Sequence, residues 1–187
     1  MAVASIGPIR AVRVLGGYDI PHSSENEEAA TQTYKAGAPL VFSSGTLTEG
    51  TSDTLTGIVG IAENDGQNLA AAGFYTGTTT TFGQTVSIVG APNQGPLVAL
   101  ALPNVVFQGH LAGTTSSDPN TATSLAIADI GVTYDIVKAT TSKLWYVDRT
   151  STGNKRVVVV GLKDAVGTVS GVVYFMFLLT ATFTIYA

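Results

Sequence analysis

Apolar positions in this chain fall in short runs of strand length, separated by glycine, proline, serine, threonine and asparagine. The stretch from Lys35 to Ala62, KAGAPLVFSSGTLTEGTSDTLTGIVGIA, sets the pattern. Its two apolar runs, Pro39–Phe42 and Gly57–Ala62, carry β-branched or aromatic residues, and a Gly/Thr/Ser-rich connection joins them. Runs of this kind, bounded by turn formers, predict β-strands. Asn64-Asp65-Gly66 is a turn signal, Thr76–Thr81 a loop or edge strand, and Thr85–Val89 and Leu97–Leu102 two further strands. Pro103 stops the last of these, and Val105–Phe107 opens another. Residues 35–108 are therefore expected to form a small antiparallel β-barrel or sandwich.

The flanking segments differ. Residues 1–34 predict an extended N-terminal arm. Ile9–Leu15 alternates as one strand, Gly16-Gly17 ends it, and Ser23–Thr33 is polar and acidic without an apolar stripe for a helix to pack. Such an arm gains order by lying on a partner. Residues 109–123, rich in Ser and Thr around Asp118-Pro119-Asn120, predict a linker. Residues 124–187 then form a second β-unit. A helical turn is expected at Ser124–Asp129 and strands at Gly131–Val137, Lys143–Asp148, Arg156–Leu162, Val169–Phe177 and Thr180–Tyr186, with a hairpin-type turn at Thr150–Asn154. The valines of RVVVVGL do not alternate with polar residues, so this strand is expected to be buried on both faces, its four valines in one core with Trp145.

Gly171–Ala187 carries no charge but has only 17 residues, three of them threonine. A spanning helix needs about 20 predominantly apolar residues, so buried strands are expected here and no membrane partner. The N-terminus lacks the basic and apolar regions of a signal peptide, which predicts synthesis in a cytoplasm without signal-directed export.

Composition sharpens the picture. Charged residues make up 12% of the chain, about half the usual share, which leaves a largely neutral surface. A β-protein of this kind is best accommodated when copies of itself or a larger lattice cover part of it. A net charge of −4 argues against a nucleic-acid partner, and the one basic knot, Lys155-Arg156, is expected to be a solvated turn. Zero cysteines exclude disulfides and thiolate zinc sites.

Chemistry-bearing motifs are lacking. His22 and His110 have no neighbouring ligand at metal-site spacing and are expected to be loop histidines. No G-x-S-x-G surrounds a serine; Ser87 and Ser170 sit within predicted strands. Glu25, Glu27, Glu28, Asp53 and Asp65 lie in turns and the arm rather than as a catalytic pair. No phosphate-binding glycine motif occurs. Glu63-Asn64-Asp65-Gly66 offers oxygen ligands but lacks the further acids of a calcium loop. No catalytic residue, metal or cofactor is expected. The single run Thr78–Thr81 is an edge strand or loop rather than a repeated binding face, and Trp145 is expected in the core.

Two stretches resemble a known family. GAPLVFSSG, then GIVGIAENDG, then TVSIVG resemble the small β-barrel of tailed-bacteriophage capsid decoration, or cement, proteins. Gly131–Val137 with Leu144–Asp148, Val157–Leu162 and Val172–Leu178 is similar to the C-terminal β-unit of phage head structural proteins. The long Thr/Gly insert between residues 64 and 84 departs from a minimal barrel. The resemblance implies a non-enzymatic virion protein on the outer capsid surface, clamping capsomers. Its partners would be the major capsid protein and further copies of itself, with a trimer favoured. Many weak contacts repeated over a lattice would give strong total binding. Residues 1–34 would then add a strand to a neighbour. Alternative readings are a tail-tube or fibre-base protein, or a carbohydrate-binding β-sandwich that stacks sugars on Trp145, Tyr146 or Tyr75.

Overall fold

The structure is a computed structural model. It describes residues 5–17, 19–23, 28–29, 32–51, 55–66, 77–81, 84–88, 96–115, 118–120, 123–151 and 153–183, with the backbone alone for 77–81, 84–88 and 114–115. In chain order the strands are β1 (Arg10–Val14), β2 (His22–Ser23), β3 (Pro39–Ser43), β4 (Thr46–Glu49), β5 (Ile58–Ala62), β6 (Gly77–Thr81) and β7 (Gln84–Ile88). They continue as β8 (Val98–Leu100), β9 (Val105–Thr115), β10 (Asp118–Asn120), β11 (Thr133–Lys138), β12 (Trp145–Asp148), β13 (Val157–Leu162) and β14 (Val172–Phe177). A 3₁₀ turn covers Ile127–Asp129. The protein is nearly all β, as the apolar runs predict. No helix among the described residues is long and apolar enough to cross a membrane.

The closed barrel lies later in the chain than expected. β9, β12, β11, β13 and β14 pair in that order, and β14 pairs again with β9 to complete a ring of five strands. All contacts in the ring are antiparallel except β9 with β12. The expected unit at 35–108 instead supplies an open sheet, ordered β2-β8-β5-β3-β4, while β6 and β7 form a separate hairpin. Residues 109–115, expected in a linker, belong to β9. Its glycines and threonines resemble loop chemistry, but Val105, Phe107 and Leu111 enter the main core, and Val106 and Ala112 on the other face are buried as well. Gly109 lets Ile9 and Phe175 close over the strand, since a Cβ there would lie 3.1 Å from both side chains. The turn expected at Thr150–Asn154 is not a hairpin: β12 and β13 both pair with β11 and not with each other.

Between β3 and β4 the chain turns through Ser44 (φ 51°) and Gly45 (φ 86°), the two successive positive φ values of a tight hairpin. This hairpin places a strand in the connection that the sequence reading left without one.

One hydrophobic core joins the open sheet to the barrel. Leu40, Leu47, Leu55, Ile58 and Ile61 belong to the same buried cluster as Phe107, Trp145, Val157 and Phe175. Phe107 and Phe175 stack within it and Phe177 meets both edge-on, at centroid separations of 5.1–6.0 Å. Segments from the end of the chain reach back as well. Ile58 N donates to Ala181 O at 2.8 Å and Phe183 N to Ile58 O at 2.9 Å.

The described part of the arm lies on its own chain. β1 pairs with β9, β2 with β8, and Glu28 bridges Leu47, while Ile9, Val14 and Tyr34 are buried core residues. Gly37 (φ +90°) admits Ile9, because a Cβ there would come within 2.5 Å of the Ile9 nitrogen.

Candidate interaction face

Along β13 and β14 the side chains alternate. Val157 and Val159 of β13, with Val173, Phe175 and Phe177 of β14, point into the barrel and are buried. Val158, Val160, Tyr174 and Met176 point outward. Expected burial of this strand on both faces is thus corrected: Val160 is 38% exposed, and only two of the four valines join Trp145 in the core. Among the described residues the layer that buries β13 is the barrel interior.

The outward residues form two neighbouring rows across the sheet. Val158 stands opposite Met176 on one side and Thr133 on the other. Gly161 faces Tyr174, Tyr174 faces Gln108, and Gln108 faces Arg10 of β1. Beside β13, Val159 N donates to Val132 O and Gly131 N to Val159 O, which brings the segment carrying the exposed Ile130 and Val132 alongside these rows. An exposed strand face normally alternates toward polar residues, so a contiguous apolar surface here is informative.

A basic margin runs along the β1 side. The Arg13 guanidinium carbon lies 5.7 Å from the Tyr174 ring centroid. Lys163 Nζ donates to Gln108 Oε1 at 2.9 Å. Of nine Lys and Arg residues, four (Lys35, Lys138, Arg149 and Arg156) pair with carboxylates among the described residues. Of the other five, three (Arg10, Arg13 and Lys163) border this face. Asp164 lies at the end of the face, its carboxylate accepting the Val172 N–H at 2.8 Å.

Buried polar groups hold the barrel beneath. Arg156, only 2% exposed, is not in a solvated turn: it donates to Asp135 Oδ1 and, through Nε, to Leu55 O at 2.6 Å. Asp129 accepts from Ala126 N, from the Tyr134 hydroxyl at 2.7 Å, and pairs with Arg149 at 3.1 Å. Burial, reinforced by this carboxylate, pushes the Tyr134 hydroxyl up to about 12. Tyr34 is raised further, again through burial first and then the Glu28 charge.

Other residues singled out by sequence are dispersed. His22 lies in β2 with Nε2 3.1 Å from Glu63 Oε1, and His110 in β9 with Nδ1–H donating to Ser170 O at 2.7 Å, so neither is a loop histidine. Ser170 is buried and adopts φ 47°, its hydroxyl donating to Asn120 O. In the acidic turn, Asp65 accepts from Ala36 N and Lys35, which holds it below the usual carboxylate range, and Asn64 accepts from Leu97 N. Among the described residues no group of three potential ligands gathers around a metal position. Trp145 and Tyr146 are fully buried and present no ring to a sugar. Thr78–Thr81 falls in β6 of the hairpin. Glu25, Glu27, Asp53 and Tyr75 lie outside the described residues.

Sequence reasoning missed the outward face because a run of valines looks the same whether one or both sides are covered. The signal that marks it is the partner strand, where Tyr174 and Met176 alternate with Val173, Phe175 and Phe177. Comparison with models of known protein families, with curated proteins and with solved structures finds no match.

Proposed function

We propose that the protein is a non-enzymatic virion component that binds the outer surface of a tailed-phage capsid and stabilises contacts between capsomers, working as a homo-oligomer with a trimer favoured. The observation that carries this reading is β13: its sequence is apolar on both faces, and the core among the described residues takes up one of them. A lattice neighbour supplies the second layer. The low content of charge and the motif-level resemblance to decoration proteins support the same reading. Burial of Trp145 and Tyr146 weighs against the sugar-binding alternative.

Quantitative mass spectrometry of purified particles of the source virus tests it. A copy number near that of the major capsid protein, or a simple fraction of it, is expected. Copy numbers far below that would transfer the protein to the tail tube or fibre base, and absence from particles would overturn the virion reading.

A further inference from the structure

We infer that the outer face of β13 and β14, with its margin on β1, is the surface that docks, and that its occupant is a protein surface with an apolar centre and a carboxylate rim. The inference rests on the capsid reading and specifies which side of the molecule meets the shell.

Three observations select this face. Its centre, formed by Val158, Val160, Tyr174 and Met176, is apolar, and Val158 and Met176 lie on the opposite side of their strands from the core residues. Two further exposed apolar residues, Ile130 and Val132, lie on the segment that hydrogen-bonds alongside β13. The bordering cations are Arg10, Arg13 and Lys163, none of which has a carboxylate within ion-pair distance among the described residues; the one acid at the end of the face, Asp164, is engaged by the Val172 N–H. A cationic margin on a chain of net charge −4 is a local reversal of sign. It steers an anionic rim into register while the apolar centre supplies affinity. Arg13 over Tyr174 also gives the margin a planar cation next to an aromatic ring, a residue pair enriched where interfaces concentrate their energy. The same margin disfavours a second copy of this face as occupant, since isologous pairing brings cationic borders together.

The test uses the full chain and particles of the source virus depleted of this protein. Rebinding of wild type is compared with that of Val160→Asp and of Arg13→Glu combined with Lys163→Glu. Both variants change exposed outward positions, and thermal melting checks that each remains folded. Val160→Asp is expected to weaken rebinding at least about tenfold, as for a residue in the centre of an interface. The double charge reversal is expected to weaken it several-fold and to abolish the salt sensitivity that wild type shows between about 0.05 and 0.5 M NaCl. Folded variants that rebind like wild type would overturn the docking face and leave the capsid reading intact. If Val160→Asp instead dissociates an oligomer without changing rebinding, the face joins copies and the inference is overturned. Failure of wild type to rebind would overturn the capsid reading and the proposed occupant with it.

Discussion

Arg156 Nε lies 2.6 Å from the carbonyl oxygen of Leu55, a hydrogen bond across 101 residues that ties the barrel to the chain leading into β5 of the open sheet. The same guanidinium pairs with the buried Asp135 of β11. One side chain therefore satisfies a barrel carboxylate and a backbone carbonyl of the other layer, inside a core that both layers share.

Replacing Arg156 by Met keeps much of its volume but leaves Asp135 charged and buried. Breaking a buried pair in this way costs about 3–5 kcal/mol. Arg156→Met is expected to lower stability by that amount in urea unfolding, while Arg156→Met with Asp135→Asn costs less than the two single changes summed. A loss for the single variant below about 1 kcal/mol would show that the pair does not bind the two layers.

Glu49 makes a second tie. Its Oε1 accepts the Trp145 Nε1–H at 2.8 Å and its Oε2 meets Lys138 Nζ at 2.5 Å, again linking β4 to β11 and β12. Glu49→Gln replaces one acceptor by a donor and is expected to cost about 1.5–3 kcal/mol, the range for hydrogen bonds to charged groups. Trp145 is the only tryptophan, so its fluorescence reports the change directly. A shift of its emission below the unfolding transition is predicted, and an unaltered spectrum with unaltered stability would contradict the role given to Glu49.

Tyr34 and Tyr134 predict an alkaline instability. Both hydroxyls are raised above their ordinary value by burial and by neighbouring Glu28 and Asp129 respectively. A phenol raised in the folded state contributes its stability fully below its unfolded value of about 10 and loses it as pH rises through the folded value. Unfolding free energy is thus expected to fall above about pH 10. Tyr134→Phe should make that fall shallower, and absorbance titration of the folded protein should show late-ionising tyrosine, with less of it in Tyr134→Phe. An equally steep fall in the variant would remove Tyr134 from the account.

Much of this fold is legible in the sequence, for a physical reason. β3, β5, β11 and β14 carry apolar runs bounded by turn formers, and local pattern alone places them. β4 and the second half of β9 are not legible, because Thr46–Glu49 and Gly109–Thr115 have the composition of loops and become strands through their partners. The position of the barrel was hidden for the same reason: closure depends on β9 pairing with β14 more than fifty residues away. Arg156 looked solvated because its buried partners, Asp135 and Leu55, are distant in sequence. The interaction face was half legible. The valines of β13 announced two apolar sides, but only the register with Met176 and Tyr174 distinguishes the covered side from the open one.

Met176 offers the most direct test that this open side meets the capsid. It stands opposite Val158 in the centre of the face, and the only other methionine is Met1, so its oxidation is assigned without ambiguity. The measurement is the rate of Met176 sulfoxide formation under dilute peroxide, in free protein and in protein bound to particles. Particle binding is predicted to slow Met176 oxidation several-fold relative to the free protein. Equal rates for Met176 in the free and bound protein would contradict it.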